Sequence, residues 1–411
     1  MHAPDLLLSL FQTALAAALP DGKFTGLLPP PPRGRTIVLG AGKGSARMAQ
    51  AFEAAWPHPC SGLVVTRYGH GAPTRHIEIV EASHPVPDAA GLQAAARILA
   101  LAESAGPDDL VVVLISGGAS ALLSLPAPGV TLADKQALTK ALLKSGAPIA
   151  EMNFVRKALS AVKGGRLAAA AAPARMVTYL ISDVPGDDPA AIGSGPTIPE
   201  ASDPQRVLAI LESYGIPVSP ELVAVINANV VDAVPGGAVH MLATPRMALA
   251  AAAERARALG VAPLILGDGL EGEAREVGTL MAGMARSVAE AGQPIAGPCV
   301  LLSGGETTVT VRGSGRGGRN VEFLLSLLIR TAGRPGIAAL AADTDGIDGM
   351  EANAGAWFDD QTLAKARALG LSPQAHLANN DAYSFFARLD QLVVTGPTLT
   401  NVNDFRAVFI G

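Results

Sequence analysis

The chain has 411 residues, 49% of them apolar and 16% charged, with a net charge of −5. At about 150 residues per domain this length predicts two to three domains, and so apolar a composition excludes a disordered chain. The slight acidic excess and an aromatic content of 4% exclude a general nucleic-acid-binding field and a base-stacking platform.

Leu6 to Leu19 reads as an amphipathic helix between Pro4 and Pro20, and no basic region precedes it as a secretory signal would require. Pro29 to Pro32 is a stiff connector. Thr36-Ile-Val-Leu-Gly-Ala-Gly-Lys is a parallel strand entering a tight turn, with a helix from Ser45 to Trp56. Gly62–Thr66 and Ile77–Glu81 are further strands, and Asp88 caps a helix running to Ala105. Leu110–Ile115 is a continuous β-branched run suited to a sheet covered on both faces. Val177–Ser182 continues the alternation. Residues 203–234 hold helices and a join. From 235 a second alternating unit is expected: a strand at Val239–Ala243, a helix from Pro245 to Leu259, a strand at Pro263–Gly267 and a helix from Glu271 to Ala291. Strands at Cys299–Ser303 and Ile337–Asp343 complete the pattern. The fold class is therefore α/β, with two α/β domains: a larger Rossmann-like three-layer N-terminal domain (1–234) and a smaller C-terminal α/β domain (235–411). Ser116-Gly-Gly-Ala-Ser and Ser303-Gly-Gly-Glu-Thr, each after an apolar strand, look like a short repeat.

Two cysteines, Cys60 and Cys299, cannot build a disulfide framework, so a cytoplasmic, reducing compartment is expected. No stretch of about 18 apolar residues predicts a membrane span. The seven histidines lack the spacing of a preformed zinc site.

In open α/β sheets ligands bind beyond the carboxyl ends of strands. Five polar, glycine-rich segments fall there, and their N–H groups suit phosphate. The nucleotide- or phosphate-binding candidates are Gly42, Ser116, Gly117, Gly118, Ser120, Gly304 and Gly305. Lys43 fits neither a P-loop, since Ile37 and Gly44 break the spacing, nor the dinucleotide pattern, whose third glycine position is Ser45. As a fixed cation at a strand end it suits a carboxylate or a transferring phosphoryl group. In Gly313-Ser-Gly-Arg-Gly-Gly-Arg-Asn, Arg319 stands where a helix begins, and its planar fork suits an anion; Arg316 also fits a water-facing position. Asp183 and Asp187 fall in one loop, and Asp343, Asp345 and Asp348 in another. Mg²⁺ is usually held by one or two such carboxylates plus nucleotide oxygens.

At these residues the chain resembles the class II glycerate 2-kinase family, some of whose members are labelled hydroxypyruvate reductase. The matching segments include Val38–Ser45, Ser83–Asp88, Ser116–Leu122, Asn153–Lys157, Ile181–Asp188, Gly193–Thr197, Ser303–Val309, Gly317–Glu322, Asp343–Gly349 and Thr395–Asp404, in family order. Gly44 and Val321 depart from the commoner Ala and Gln without removing a charge. The resemblance implies an interdomain cleft, ATP, Mg²⁺ and D-glycerate, with 2-phosphoglycerate as product. It makes Lys43 and Arg319 the essential basic positions, and Arg156 joins them as a substrate-holding cation. Asp183 and Asp187 are the candidate metal ligands. The expected partner is the small molecule D-glycerate, with no nucleic acid and no membrane; a homodimer is an open expectation. Two rival readings are an NAD(P)H-dependent hydroxypyruvate reductase and a non-enzymatic sugar-acid sensor.

Overall fold

The structure is a computed structural model that describes residues 2–231 and 236–411. The elements run in chain order as α1 (Ala3–Ala18), β1 (Thr36–Ala41), α2 (Ser45–Ala55), β2 (Ser61–Arg67), β3 (Ile77–Ala82), α3 (Ala89–Glu103), β4 (Leu110–Ile115), α4 (Ala119–Leu122), α5 (Leu132–Ser145), α6 (Ile149–Ala158), α7 (Arg166–Ala171) and β5 (Arg175–Ile181). They continue with α8 (Pro204–Ser213), α9 (Pro220–Ala228), β6 (Ala238–Ala243), α10 (Pro245–Ala258), β7 (Ala262–Gly267), β8 (Gly272–Glu273), α11 (Ala274–Ala291), β9 (Cys299–Gly305), β10 (Thr307–Thr308) and α12 (Arg319–Thr331). Last come β11 (Ile337–Asp343), β12 (Gly355–Phe358), α13 (Thr362–Ala368), α14 (Pro373–Ala378), α15 (Ala382–Arg388), β13 (Leu392–Val393) and β14 (Asp404–Ile410).

The chain divides into two compact units: Pro20–Leu242, and a smaller one built from the segment ending at Leu19 together with Ala243–Gly411. The larger unit carries a six-stranded sheet in the order β3-β2-β1-β4-β5-β6, parallel across β3, β2, β1, β4 and β5. This is the strand order of doubly wound nucleotide-binding folds, with its switch point between β1 and β4. Alternate residues explain the layers. Ile37, Leu39, Val111, Val113 and Ile115 join a core with Ala94, Ala95 and Ile98 of α3 and Leu167 of α7. The intervening Val38, Val112 and Leu114 are equally buried, on the opposite face, and α2 packs on β1, β2 and β4. A separate core joins Leu138 and Leu142 of α5, Met152 and Val155 of α6, Val207 and Leu211 of α8 and Ile226 of α9.

Asp88 does cap α3, accepting from Gly91 N at 2.9 Å. The division of the chain differs from expectation. The expected join at 234 lies outside the described residues, and β6, expected to open the second domain, instead extends the first sheet beside β5. There His240 stacks on Tyr179 with ring centroids 5.4 Å apart. The first helix belongs with the smaller unit: α1 packs on α10, β11 and β14, with Phe11 against Phe405 at 5.7 Å.

The smaller unit has a second six-stranded sheet, β13-β12-β11-β14-β9-β7. Its pairs are antiparallel except β7 with β9. Helix α12 supplies Val321, Phe323, Leu324, Leu325, Leu327 and Leu328 to its core, beside Met281 and Ala285 of α11. The two Ser-Gly-Gly segments are not a structural repeat. The first turns from a parallel strand into a helix, whereas β9 runs through Gly304 and Gly305, paired with Phe405 and Asp404 of β14.

Candidate active site

In the larger unit the loops after β1, β4 and β5 meet at the carboxyl end of the sheet. Lys43 sits half-buried in the turn from β1 to α2. Its backbone N–H donates to Gly117 O at 2.8 Å, and its carbonyl accepts from Thr66 Oγ1 at 3.4 Å. Gly42 is at φ 134°, and a Cβ there would lie 2.2 Å from Ser116 Oγ and 2.5 Å from Ser116 O. The glycine is thus required by the close approach of the β4 loop. Ser116 is fully buried. Its hydroxyl accepts from Gly44 N at 2.9 Å and lies 3.2 Å from Ser45 Oγ. Ser116 therefore braces the Lys43 turn, and its side chain does not face a ligand as expected from the sequence. Gly117 and Gly118 complete the turn, with Gly118 preceding α4.

Ser120 is the next polar group. Its hydroxyl lies 2.6 Å from Ser194 Oγ and accepts from Lys163 Nζ at 2.9 Å; the same ammonium donates to Ser120 O at 2.6 Å. Lys163 is 4% exposed. Burial, then the neighbouring Lys135, Arg156 and Lys157 cations, push its pKa well below the ordinary lysine value. Lys163 was not legible as a site residue: its only local signal is the Gly164-Gly165 pair that follows. Arg156, in the last turn of α6, has a pKa lowered by burial.

Asp183 and Asp187 lie half-buried after β5. Asp187 adopts φ 55°, and its Oδ1 is shut off from solvent without a hydrogen-bond partner. Among the described residues no three His, Cys, Asp or Glu side chains converge to hold a metal ion by themselves. The orphaned oxygen nevertheless fits a cation whose remaining ligands come from phosphate oxygens and water.

In the smaller unit Arg319 opens α12 and is 23% exposed in its side chain. It donates from Nε to Asp404 Oδ1 at 2.8 Å, from Nη2 to Asp343 Oδ2 at 2.7 Å and from Nη1 to Glu306 Oε1 at 3.0 Å. Burial opposes the charge, but these three carboxylates outweigh it and hold the guanidinium's pKa above its ordinary value. The Nε–Nη2 edge of the fork is therefore divided between two carboxylates. Only the remaining Nη hydrogens face elsewhere. Asp404 also pairs with the fully buried Arg406, which donates to Gly304 O at 3.1 Å.

Asp348 accepts from Asn320 N and Val321 N, each at 3.0 Å, at the start of α12. Burial raises its pKa to about 6 against these bonds, with Asp404 adding to the rise. Gly305 meets Leu270 backbone closely, since a Cβ would lie 2.3 Å from Leu270 N. Gly304 and Gly305 are thus ladder residues, and the expected phosphate loop at this point is replaced by strand. Arg316 pairs with Glu351 and packs over Tyr383 at 4.6 Å.

The chain matches a domain family described as of unknown function, DUF4147, over residues 6–227 and the MOFRL family over residues 299–404. A Thermotoga maritima protein named D-glycerate 2-kinase is 39% identical over 401 residues, 97% of this chain and 96% of its own. The chain belongs to the class II glycerate 2-kinase family. A crystal structure of glycerate kinase from Thermotoga maritima agrees with a TM-score of 0.91 at 38% identity, covering 99% of each chain. A relative from Agrobacterium vitis carries the provisional name hydroxypyruvate reductase and is 52% identical over 417 residues, 100% of this chain and 95% of its own. Within the glycerate 2-kinase family frame, Lys43 lies on the larger unit and Arg319 on the smaller.

Proposed function

We propose that the protein transfers the γ-phosphoryl group of ATP to the 2-hydroxyl of D-glycerate, giving 2-phosphoglycerate and ADP. The observation that carries this reading is Lys43, fixed by Gly42 and Ser116 at the switch point of a doubly wound sheet in a chain 39% identical over nearly its full length to a D-glycerate 2-kinase. The rival label on the Agrobacterium vitis relative implies a reductase. A reductase would need its glycine turn for a dinucleotide pyrophosphate, but Gly42 is demanded by Ser116 whatever the ligand. The third dinucleotide glycine position is occupied by Ser45, the first residue of α2.

In the mechanism, the Lys43 ammonium stabilises charge on the transferring phosphoryl oxygens. The 2-hydroxyl oxygen bonds to γ-phosphorus as the bond to the bridging oxygen of ADP breaks, and the hydroxyl proton leaves to solvent or a nearby base. Arg319, locked by Asp343 and Asp404, offers its remaining Nη hydrogens to an anionic oxygen. Asp187, with Asp183, would hold Mg²⁺. Held there, the ion would supply positive charge that offsets the charge on the phosphate oxygens. Two unpaired thiols, Cys60 and Cys299, support a reducing cytoplasmic compartment. Among the described residues no helix is long and apolar enough to cross a membrane.

The deciding experiment incubates the purified protein with D-glycerate, ATP and Mg²⁺ and reads the product by phosphorus NMR. Phosphate on the 2-oxygen is expected. A 3-phosphate product, or NADH oxidation by hydroxypyruvate without phosphoryl transfer, overturns the reading.

A further inference from the structure

A cavity of about 580 Å³ opens in the larger unit between the β3–α3 loop, α4, α5 and α6. Lys135, Lys140, Arg156 and Lys163 line it, and no Asp or Glu does. Among the described residues none of these four cations forms an ion pair, whereas the adjacent Lys157 pairs with Glu200 at 2.5 Å. Four converging cations without a counter-charge repel one another, an arrangement that costs stability unless an anion fills the gap. The pKa directions agree: Lys135 is lowered to about 8 by burial and by Arg156, and Arg156 and Lys163 are lowered as well.

Two further features define the missing anion. Lys163 spends two of its three N–H donors on Ser120, leaving one for a ligand in a nearly dry site. The rim is apolar and open: Val86 is 62% and Leu143 63% exposed, beside Pro85 and Pro87. A polyanionic tail joined to a flat apolar group matches both parts. Glycerate, with a single carboxylate and no apolar face, matches neither. Gly118 lies where the cavity meets the site already described, since a Cβ there would be 3.2 Å from Lys43 Cγ and 3.0 Å from His84 Nε2.

We infer that this cavity binds the nucleoside triphosphate, with Lys135, Lys140, Arg156 and Lys163 holding the phosphate tail, the Pro85–Pro87 and Leu143 rim against the base, and the terminal phosphate at the Gly118 end beside Lys43. The inference rests on the kinase reading and refines it: Arg156 grips nucleotide phosphate and not glycerate.

Isothermal titration calorimetry with ATP, inorganic tripolyphosphate and D-glycerate tests the assignment. The variants are Lys135→Ala/Lys140→Ala, at a half-buried and an exposed position of the lining, and Lys163→Gln, with thermal melting as a check on folding. Tripolyphosphate is expected to compete with ATP. The double variant is expected to bind ATP at least tenfold more weakly, with a shallower salt dependence, while D-glycerate affinity changes less than twofold. An unchanged ATP Kd in the double variant overturns the inference, as does weakened D-glycerate binding with ATP binding intact. Phosphorus NMR on the wild type separates the two levels: 2-phosphoglycerate formed alongside an unaltered ATP Kd sinks the cavity assignment alone. Its absence despite ATP binding sinks the kinase reading.

Discussion

Lys43 and Arg319 carry opposite kinds of environment, and substitutions at them should behave differently. The Lys43 backbone bonds to Gly117 and Thr66, and truncating the side chain leaves those two bonds in place. Lys43→Ala should lower kcat and kcat/KM together, by about 2–4 kcal/mol of transition-state stabilisation, with stability changed by about 0.5 kcal/mol or less. Steady-state kinetics with a melting curve checks both parts; near wild-type rates would remove Lys43 from the chemistry. Arg319 is held through its side chain by Asp404, Asp343 and Glu306. A lysine ammonium cannot span three carboxylates at the angles of a guanidinium. Arg319→Lys should therefore lose at least tenfold in kcat/KM and also melt earlier, because the buried Asp343 and Asp404 each lose a guanidinium hydrogen bond. Retention of more than half of kcat/KM would show that the fork's geometry is dispensable. Both residues are legible in the sequence, because a basic residue among glycines beside a strand or helix end has few structural uses. The partners are not. Asp404 reaches Arg319 across 85 residues and Lys163 reaches Ser120 across 43, and neither separation leaves a local pattern.

Turns and ladders explain why equal-looking segments acquire different work. Ser116-Gly-Gly and Ser303-Gly-Gly follow strands of the same apolar character, and only the pairing partner separates them. β4 has parallel neighbours whose ladders end at Ile115, freeing the glycines to turn. β9 lies beside antiparallel β14, whose Asp404 and Phe405 keep Gly305 and Gly304 in register. Periodicity thus reveals the strands but not where the second one stops. The close approach at the first turn predicts that Gly42→Ala costs about 1–3 kcal/mol by overpacking and displaces Lys43, so activity should fall even where the protein remains folded. An active, equally stable variant would contradict the Gly42–Ser116 contact. At the opposite end of the same strands, Asp109 accepts from Arg35 N at 2.6 Å, Arg35 Nη2 at 2.8 Å and Gly106 N at 3.0 Å. The Arg35 side chain and then the backbone N–H groups hold its carboxyl at about 2, below the ordinary 3.8. Because the folded pKa is the lower one, this stabilisation is complete above about pH 4 and disappears as pH falls toward 2. Asp109→Asn should lose on the order of 2 kcal/mol at pH 7 and converge on the wild type in acid. Chemical denaturation across pH 2–7 measures the difference, and a constant gap would refute the ionised pair.

The smaller unit is discontinuous in sequence, because α1 precedes the larger unit along the chain but belongs to the smaller one. The alternation of strand and helix makes two α/β units legible, yet nothing in an amphipathic helix states which core its apolar stripe will meet. The stripe is formed by Leu6, Leu7, Leu10, Phe11, Ala14 and Ala18, all buried. Phe11 meets Phe405 at 5.7 Å, Thr400 Oγ1 donates to Ala18 O at 2.8 Å, and Arg255 Nε donates to Ser9 Oγ at 3.1 Å. Burying the four large side chains contributes roughly 6–12 kcal/mol at about 1.5–3 kcal/mol each. A domain's entire stability is about 5–15 kcal/mol, so the smaller unit should not survive without this helix. A fragment of residues 20–242 retains its own sheet and core and should fold alone. A fragment of residues 243–411 should be unfolded or aggregated, and fusing residues 2–19 to it should restore a dispersed amide NMR spectrum. Should the 243–411 fragment give a cooperative melt by itself, α1 would be a surface appendage and the apolar stripe would need another explanation.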